Sequence, residues 1–338
     1  MNQEKDQVAT KPKSRRGRGV LRVIFIGLFA LFALYTLSNL FSSDPSVGYF
    51  RSVEGRREYL EAYDEVMATM PPPSSIHDIN TSWGTVRVYE WANANDSDAT
   101  PVVLLPGRSS GVPMWQANLT GFSQEHTVYA LDALGDAGKS LQTVPLDSNE
   151  DVGGWITETL DALGIERAHI VGHSFGGGNA ANFAQRHPEQ VQTLTLLEPA
   201  FALNYPSFSV LFWGTVAILE FLPESWRNYG LAQISGEAPS DVGSDDPLAR
   251  MISAGSAYYS ASLPTPETLT TEELSNLPMP VYVALAENSP LTDETDAKNA
   301  ELIPGATVKI WANTTHSLPM EVADELASEL TRFWNENE

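Results

Sequence analysis

The chain has 338 residues, of which 42% are hydrophobic and none is cysteine. This length allows a sizeable buried core, and the lack of cysteine excludes disulfides, Cys-ligated zinc, iron–sulfur centres and thiol catalysis. The net charge is -23, yet residues 1–22 hold seven basic and only two acidic residues, which leaves 13 basic and 41 acidic residues in the remainder. A protein segment this acidic repels polyanions, so a nucleic-acid partner is not expected.

The first predicted element is a membrane anchor. A basic segment, residues 1–22, precedes an apolar run in which only Arg22 is charged between Val20 and Leu40. Crossing the hydrocarbon core of a bilayer takes about 20 such residues, so residues 23–41 are predicted to be a transmembrane signal-anchor. The run is longer than the apolar region of a signal peptide and no clear cleavage site follows, so we favour an uncleaved anchor over a cleaved, secreted form. The basic segment is then expected to stay cytoplasmic, with the rest of the chain outside.

Residues 42–75 are predicted to be a linker that contains an amphipathic helix. Apolar residues recur there at spacings of three and four: Tyr59, Tyr63, Val66, Met67 and Met70. Three consecutive prolines, at 71–73, end the pattern. We expect this helix to pack on the following domain, because its polar face is too acidic to favour a membrane surface.

From residue 76 onward, short apolar strands alternate with helical segments. This alternation predicts an α/β fold with a mostly parallel sheet of the eight-stranded type and helices on both faces. Two core segments, 76–199 and 279–338, flank an aromatic-rich and then acidic interruption at 200–278, which we interpret as an inserted helical cap. Its most apolar stretch, residues 209–222, contains Glu220 and has only about 14 residues, too few to cross a bilayer.

The sequence `GHSFG`, residues 172–176, lies between a predicted strand and a predicted helix. A G-x-S-x-G turn presents its serine at the top of a sheet, and small residues two positions to either side let strand and helix approach. The helix N-terminus also favours developing negative charge. A glycine-rich turn with an incidental serine is the alternative, but a suitably placed histidine later in the chain favours Ser174 as a nucleophile.

That histidine is His316, which follows the last predicted strand, `ATVKIW`, and precedes the final helix. A general base must come from a loop at the carboxyl edge of the sheet to reach the serine, and among the six histidines only His316 is so placed late in the chain. His173 adjoins Ser174 but is expected to point away along the turn.

Five segments appear in an order and spacing that resemble the α/β-hydrolase fold family: `LLPG`, `YALDALGDAGKS`, `GHSFGG`, `RHPEQVQTLTLLEPA` and `TTHSLPME`. The resemblance covers about residues 81–334 and is closest to carboxylesterase-like and lactonase-like members. It implies an oxyanion hole formed by the backbone N–H groups of Arg108 and Phe175. The family usually has His-Gly before the first donor, where this chain has Pro106 and Gly107. Because the donor is a backbone amide, the hole is expected to persist.

The carboxylate that should orient His316 is less clear. Family members commonly place it in a turn that here reads `AENSP`, residues 286–290, with Ser289 in the position of the acid. We favour Glu198, at the end of the strand `TLTLLE`, because some branches of the family place their acid there. Asp293, four residues beyond the usual position, is an alternative. Glu287 follows the strand directly but is expected to point away, and a chain without any acid is also possible.

These features predict a membrane-anchored serine hydrolase that cleaves a carboxylic ester or lactone through an acyl-enzyme, without need of a metal or organic cofactor. By analogy with other capped hydrolases, the apolar cap implies a small-molecule substrate with a hydrophobic portion. A cofactor-free haloperoxidase-like enzyme or a C–C-bond hydrolase of the same fold is an alternative. A catalytically silent cell-surface binding protein is another, favoured by the missing turn acid.

Overall fold

The computed structural model describes residues 47–93 and 99–338, together with the single residue Gly27. Apart from Gly27, the predicted basic segment and anchor lie outside the described residues. Within the part of the chain that the structure describes, no helix combines the length and apolar character needed to span a bilayer.

The strands fall into one large sheet and one small one. In chain order they are β1 (Tyr49–Phe50), β2 (Ser75–Thr81), β3 (Gly84–Trp91), β4 (Val102–Leu105), β5 (Val128–Leu131), β6 (Leu141–Gln142), β7 (Ala168–His173), β8 (Val191–Leu197), β9 (Tyr259–Ser260), β10 (Val281–Ala286) and β11 (Thr307–Trp311).

Helices follow most of the strands. They are α1 (Val53–Met67), α2 (Leu119–Phe122), α3 (Asn149–Leu163), α4 (Phe175–Arg186), α5 (Phe208–Ile218), α6 (Glu224–Ser235), α7 (Pro239–Val242), α8 (Pro247–Tyr258), α9 (Thr271–Ser275), α10 (Glu294–Ala300), α11 (Leu318–Glu321) and α12 (Ala323–Asn335), with short 3-10 helices at Val112–Ala117 and Pro188–Gln190.

The large sheet has the order β11-β10-β8-β7-β4-β5-β3-β2, and β6 pairs with β3 beside this path. The six strands from β5 to β11 in this order are parallel, whereas β3 and β2 are antiparallel to their neighbours. The predicted fold class, a mostly parallel sheet of the eight-stranded type, is therefore confirmed. The carboxyl ends of the parallel strands meet at one edge, where an α/β sheet carries its site.

Helices cover both faces of this sheet, so its central strands are buried on both sides. Along β4, Val103 and Leu105 face one apolar cluster, which α3 and α4 complete with Trp155 and Phe183. Val102 and Leu104 face the opposite cluster, which contains aromatic residues of α1 and α12. Burial on both faces explains why this strand has a continuous apolar sequence rather than an alternating one.

Helix α1 packs on the domain by the face that its sequence pattern indicates. Tyr59 and Tyr63 are fully buried, and each finds a partner for its hydroxyl, as buried tyrosines usually do. Tyr59 donates to the carbonyl oxygen of Ala137 at 2.9 Å, and Tyr63 donates to Oδ2 of Asp132 at 3.0 Å. The helix is therefore tied to the loop after β5.

The chain between β8 and β10 contains α5 to α9. Helix α5 has 11 residues and is partly buried, and α8 packs closely against α1, where a Cβ added to Gly55 would lie 2.4 Å from Cβ of Tyr258. At the end of α6, the carbonyl oxygen of Ser235 accepts a hydrogen bond from the backbone N–H of His316 at 2.9 Å. The segment between β8 and β10 therefore reaches the loop that carries the predicted base.

Candidate active site

The turn between β7 and α4 holds Ser174 in a left-handed backbone conformation, with φ of 54°. The chain reverses so tightly there that the flanking glycines have no room for a side chain. A Cβ on Gly172 would lie 2.3 Å from the carbonyl oxygen of Gly176, and one on Gly176 would lie 2.4 Å from those of Leu105 and Pro106. The two glycines of the motif are therefore a steric requirement of this turn.

His316 lies between the serine and a buried carboxylate. Its Nε2 is 2.9 Å from Oγ of Ser174, and its Nδ1 is 3.2 Å from Oε2 of Glu198. Glu198 is fully buried, and the imidazole is 12% exposed. With Nδ1–H directed to the carboxylate, Nε2 keeps the lone pair that can accept a proton from the serine hydroxyl.

Glu198 reaches this position because β8 lies beside β10. Its Oε1 accepts hydrogen bonds from the backbone N–H of Ala286 at 2.6 Å and from the hydroxyl of Thr292 at 2.8 Å. Both donors belong to the end of β10 and the loop after it. They hold the carboxylate so that Oε2 faces His316.

The other two candidate acids have different partners. Asp293 is the N-cap of α10, and its carboxylate accepts a hydrogen bond from the backbone N–H of Thr295 at 2.6 Å. This bond is the main cause that lowers the pKa of Asp293. Glu287 is exposed and accepts from the backbone N–H of Asn313 at 2.9 Å. In the described structure, no hydrogen bond joins either carboxylate to His316, so only Glu198 is brought to the imidazole.

The predicted oxyanion donors lie on segments that adjoin the serine. A Cβ on Gly107 would be 3.3 Å from Cβ of Ser174, which places the Pro106–Arg108 turn directly against it. Phe175 is the first residue of α4, where backbone N–H groups lack an acceptor within the helix. The exposed Arg108 side chain extends over Phe175, with Cζ 5.2 Å from the ring centroid.

Two buried aspartates hold the turn that contains Arg108. Asp136 accepts from the backbone N–H of Ser109 at 2.8 Å, and Asp132 accepts from that of Val112 at 2.8 Å. Burial is the main cause that raises the pKa of Asp132, while its hydrogen bonds act in the opposite direction. The role of these two residues was not predicted, although the D-x-x-G-D spacing in `LDALGDAGKS` was a signal for it.

The expectation that His173 points away along the turn is wrong. Its ring packs against that of His316 with centroids 4.8 Å apart, and its Nε2 donates to the carbonyl oxygen of His316 at 2.9 Å. Burial, together with the nearby His316, lowers the pKa of His173 to about 3, so this ring stays neutral beside the predicted base. His173 therefore supports the loop that carries His316. The sequence contained no signal for this contact, because it joins distant parts of the chain.

Comparison with known proteins agrees with the fold. A family model described as the alpha/beta hydrolase fold matches residues 100–322. Carboxylesterase YbfK of Bacillus subtilis (strain 168) is 25% identical over 303 residues, which cover 84% of this chain and 96% of that protein. An uncharacterized carboxylesterase of the same organism, nap, is 28% identical over 310 residues, covering 88% of this chain and 98% of that protein.

Solved structures show the same architecture. The crystal structure of naproxen esterase (carboxylesterase NP) from Bacillus subtilis has a TM-score of 0.75 at 24% identity, covering 84% of this chain and 99% of that chain. With a family model that matches most of its length, the present chain belongs to the α/β-hydrolase fold family. It is an enzyme of the hydrolase class.

Proposed function

We propose that the protein is a membrane-anchored serine hydrolase that cleaves a carboxylic ester or lactone through an acyl-enzyme on Ser174. The observation that carries this proposal is the continuous series of hydrogen bonds from Ser174 through His316 to Glu198. Relatives that match nearly their whole length to this chain are named carboxylesterases, which supports the ester class.

In the proposed reaction, His316 Nε2 takes the proton of the Ser174 hydroxyl as Oγ attacks the carbonyl carbon. The backbone N–H groups of Arg108 and Phe175 stabilise the negative oxygen of the tetrahedral intermediate. His316 then donates its proton to the leaving alkoxide, and the C–O bond breaks. Water, deprotonated by the same imidazole, releases the acid and restores Ser174. The Glu198 carboxylate stabilises the imidazolium and does not take its proton.

An aromatic series supports a substrate with a hydrophobic portion. The ring of Phe175, next to the nucleophile, contacts that of Phe201 at 6.3 Å, and Phe201 contacts Tyr205 at 5.4 Å between centroids. Tyr205 is 60% exposed, so the series leads from the serine to the surface. The Arg108 guanidinium over the Phe175 ring adds a cation near the same region.

The position of Glu198 also bears on the alternative of a silent binding protein. That alternative depended on a missing carboxylate, because `AENSP` has serine where the family acid is usual. A fully buried glutamate hydrogen-bonded to His316 favours a working catalytic group instead.

Membrane attachment belongs to the same proposal and is supported by the sequence alone. The apolar run at 23–41 has the length of a bilayer span, and the basic residues before it favour a cytoplasmic N-terminus. The catalytic domain would then lie on the extracytoplasmic side.

The test is labelling with a fluorophosphonate probe together with hydrolysis of p-nitrophenyl esters of graded acyl length. We expect Ser174→Ala to abolish labelling and to lower kcat by roughly 10³-fold or more, because the nucleophile is lost. Ser317→Ala, next to His316, is the matched control and should still be labelled. Equal labelling of wild type and Ser174→Ala would contradict the proposal.

A further inference from the structure

A second cluster of polar side chains lies at the opposite edge of the large sheet from Ser174. It is formed by His126, just before β5, His169, at the start of β7, and Glu338. One ring nitrogen of each histidine and one carboxylate oxygen of Glu338 lie within 4.8 Å of one another. His169 is five residues before Ser174, about 16 Å along an extended strand, so the cluster is separate from the proposed active site.

Each imidazole is oriented by a bond from its Nδ1. His126 Nδ1 lies 3.0 Å from the carbonyl oxygen of Thr100 and must carry the proton, because a carbonyl only accepts. His169 Nδ1 lies 2.9 Å from the hydroxyl of Thr193. Ligating histidines are usually held in this way, through the ring nitrogen that does not bind the metal.

The second nitrogen of each ring is buried without a partner. Both histidines are fully buried, and among the described residues neither Nε2 has a hydrogen bond. His169 Nε2 points into the cluster, 3.6 Å from Oε1 of Glu338, which is too long for a hydrogen bond. Leaving buried polar atoms unpaired is costly, so His169 Nε2, which faces Glu338, indicates a missing ligand.

We propose that His126, His169 and Glu338 bind a divalent transition-metal ion, with Zn²⁺ as the preferred ion. Nε2 of His126, Nε2 of His169 and the carboxylate of Glu338 are its protein ligands. Because His126 Nδ1 lies 3.7 Å from Oε1 of Glu338, the His126 ring must shift when its Nε2 binds the ion. Zinc accepts imidazole nitrogen and carboxylate oxygen at about 2.0–2.2 Å, which puts neighbouring ligand atoms about 3.4 Å apart in a tetrahedral site. The 3.6 Å between His169 Nε2 and Glu338 Oε1 requires little adjustment.

The surroundings suit a structural ion. The Glu338 side chain is 37% exposed, which provides an entry path and room for a water as fourth ligand. Its carboxylate also accepts from the hydroxyl of Thr100 at 2.7 Å, which orients it. A bound ion would join the residues after α12 to the starts of β5 and β7.

The experiment uses the full chain in detergent, purified without a polyhistidine tag, stripped with EDTA and then freed of chelator. Zn²⁺ is then added back. Bound metal is measured by elemental mass spectrometry, and the Tm is measured by thermal unfolding. We expect one zinc per chain and a Tm rise of about 5 °C at 100-fold excess over Kd. Co²⁺ in place of Zn²⁺ should give the strong visible absorption of a four-coordinate site.

Glu338→Gln removes one ligand at an exposed position and should not prevent folding. It should weaken Zn²⁺ binding by at least about 10-fold, whereas the matched control Glu336→Gln, exposed on the same segment, should bind as wild type does. Substoichiometric zinc in the wild type, or equal affinity of the two variants, would overturn the proposal. Labelling of Ser174 by the fluorophosphonate is independent of this site, so the two proposals fail separately.

Discussion

At the scale of single residues, the position of the Glu198 carboxylate depends on donors from another strand. Ala286 and Thr292 occupy one of its oxygens, and the other faces His316. In the proposed reaction, a carboxylate in this position stabilises the imidazolium of His316. In our proposal Glu198, held by these hydrogen bonds from β10 and its following loop, takes the role that the turn acid has in other branches of the family.

We expect Glu198→Gln to lower kcat by about 10²–10⁴-fold, because an amide next to Nδ1 cannot stabilise the imidazolium and favours the wrong tautomer. Asp293→Asn is the matched control, since asparagine caps a helix as well as aspartate does, and its kcat should stay within about twofold of wild type. Steady-state kinetics of both variants on one ester distinguishes the two candidate acids. A collapse of kcat in Asp293→Asn alone would assign the acid to that residue instead.

Asp296 is a buried carboxylate near this network. It is 3% exposed and accepts from the backbone N–H of Asp293 at 2.9 Å. Burial raises its pKa to about 6, and the carboxylates of Asp293 and Glu198 act in the same direction. Because the ordinary pKa is 3.8, the unfolded chain releases this proton at a lower pH than the folded chain does. The stability contributed by Asp296 is therefore full below about pH 4 and lost as pH rises through 6.

Asp296→Asn should remove this pH dependence of stability, while keeping a side-chain oxygen that can accept from the backbone N–H of Asp293. Relative to wild type, we expect the free energy of unfolding of the variant to increase by about 2 kcal/mol between pH 4 and pH 7. Urea unfolding at pH 4, 5, 6 and 7 measures it. A difference between the two proteins that stays constant over this range would show that the carboxyl titrates normally.

At the scale of elements, the β7–α4 turn was predictable because its constraints are local. Glycine at 172 and 176 follows from contacts within a few residues and with the adjacent end of β4. The same holds for the strands themselves, since burial on both faces produces the apolar runs that predicted them. The contact of α6 with the His316 loop was not predictable, because α6 meets that loop only after the segment between β8 and β10 has folded.

We expect Gly176→Ala to destabilise the protein by at least about 2 kcal/mol, because its Cβ would overlap the carbonyl oxygens of Leu105 and Pro106. Gly214→Ala is the matched control. It lies inside α5 with its closest neighbour, Cδ1 of Ile234, at 3.8 Å, and should stabilise by about 0.5–1 kcal/mol through helix propensity. Thermal or urea unfolding gives both values. A Gly176→Ala variant as stable as wild type would mean that the turn relaxes.

At the scale of the whole molecule, the acidic domain and the basic segment have different roles in our proposal. The net charge of -28 on residues 23–338 favours solubility and does not attract it to anionic lipid. Attachment to a membrane would therefore depend on the apolar run at 23–41 and its basic flank.

We expect the full-length protein to remain in the membrane pellet after alkaline carbonate extraction. Leu31→Arg combined with Leu34→Arg should move it to the soluble fraction, because each arginine at the centre of a span costs about 3 kcal/mol. Leu302→Arg with Ile310→Arg, both exposed on the catalytic domain, is the matched control and should stay in the pellet. A mature protein that lacks residues 1–41 by mass spectrometry would instead identify a cleaved signal peptide.

The sequence by itself determined the fold class, the strand–turn–helix position of Ser174 and the loop position of His316. Each depends on short-range patterns: apolar runs, glycines two residues from the serine, and the order of elements. Tertiary structure alone decided which of three acids meets the imidazole, because that depends on β8 lying beside β10. It also placed His173 under His316 and brought His126 and His169 together with Glu338, since residues far apart in the chain meet only when the strands pair.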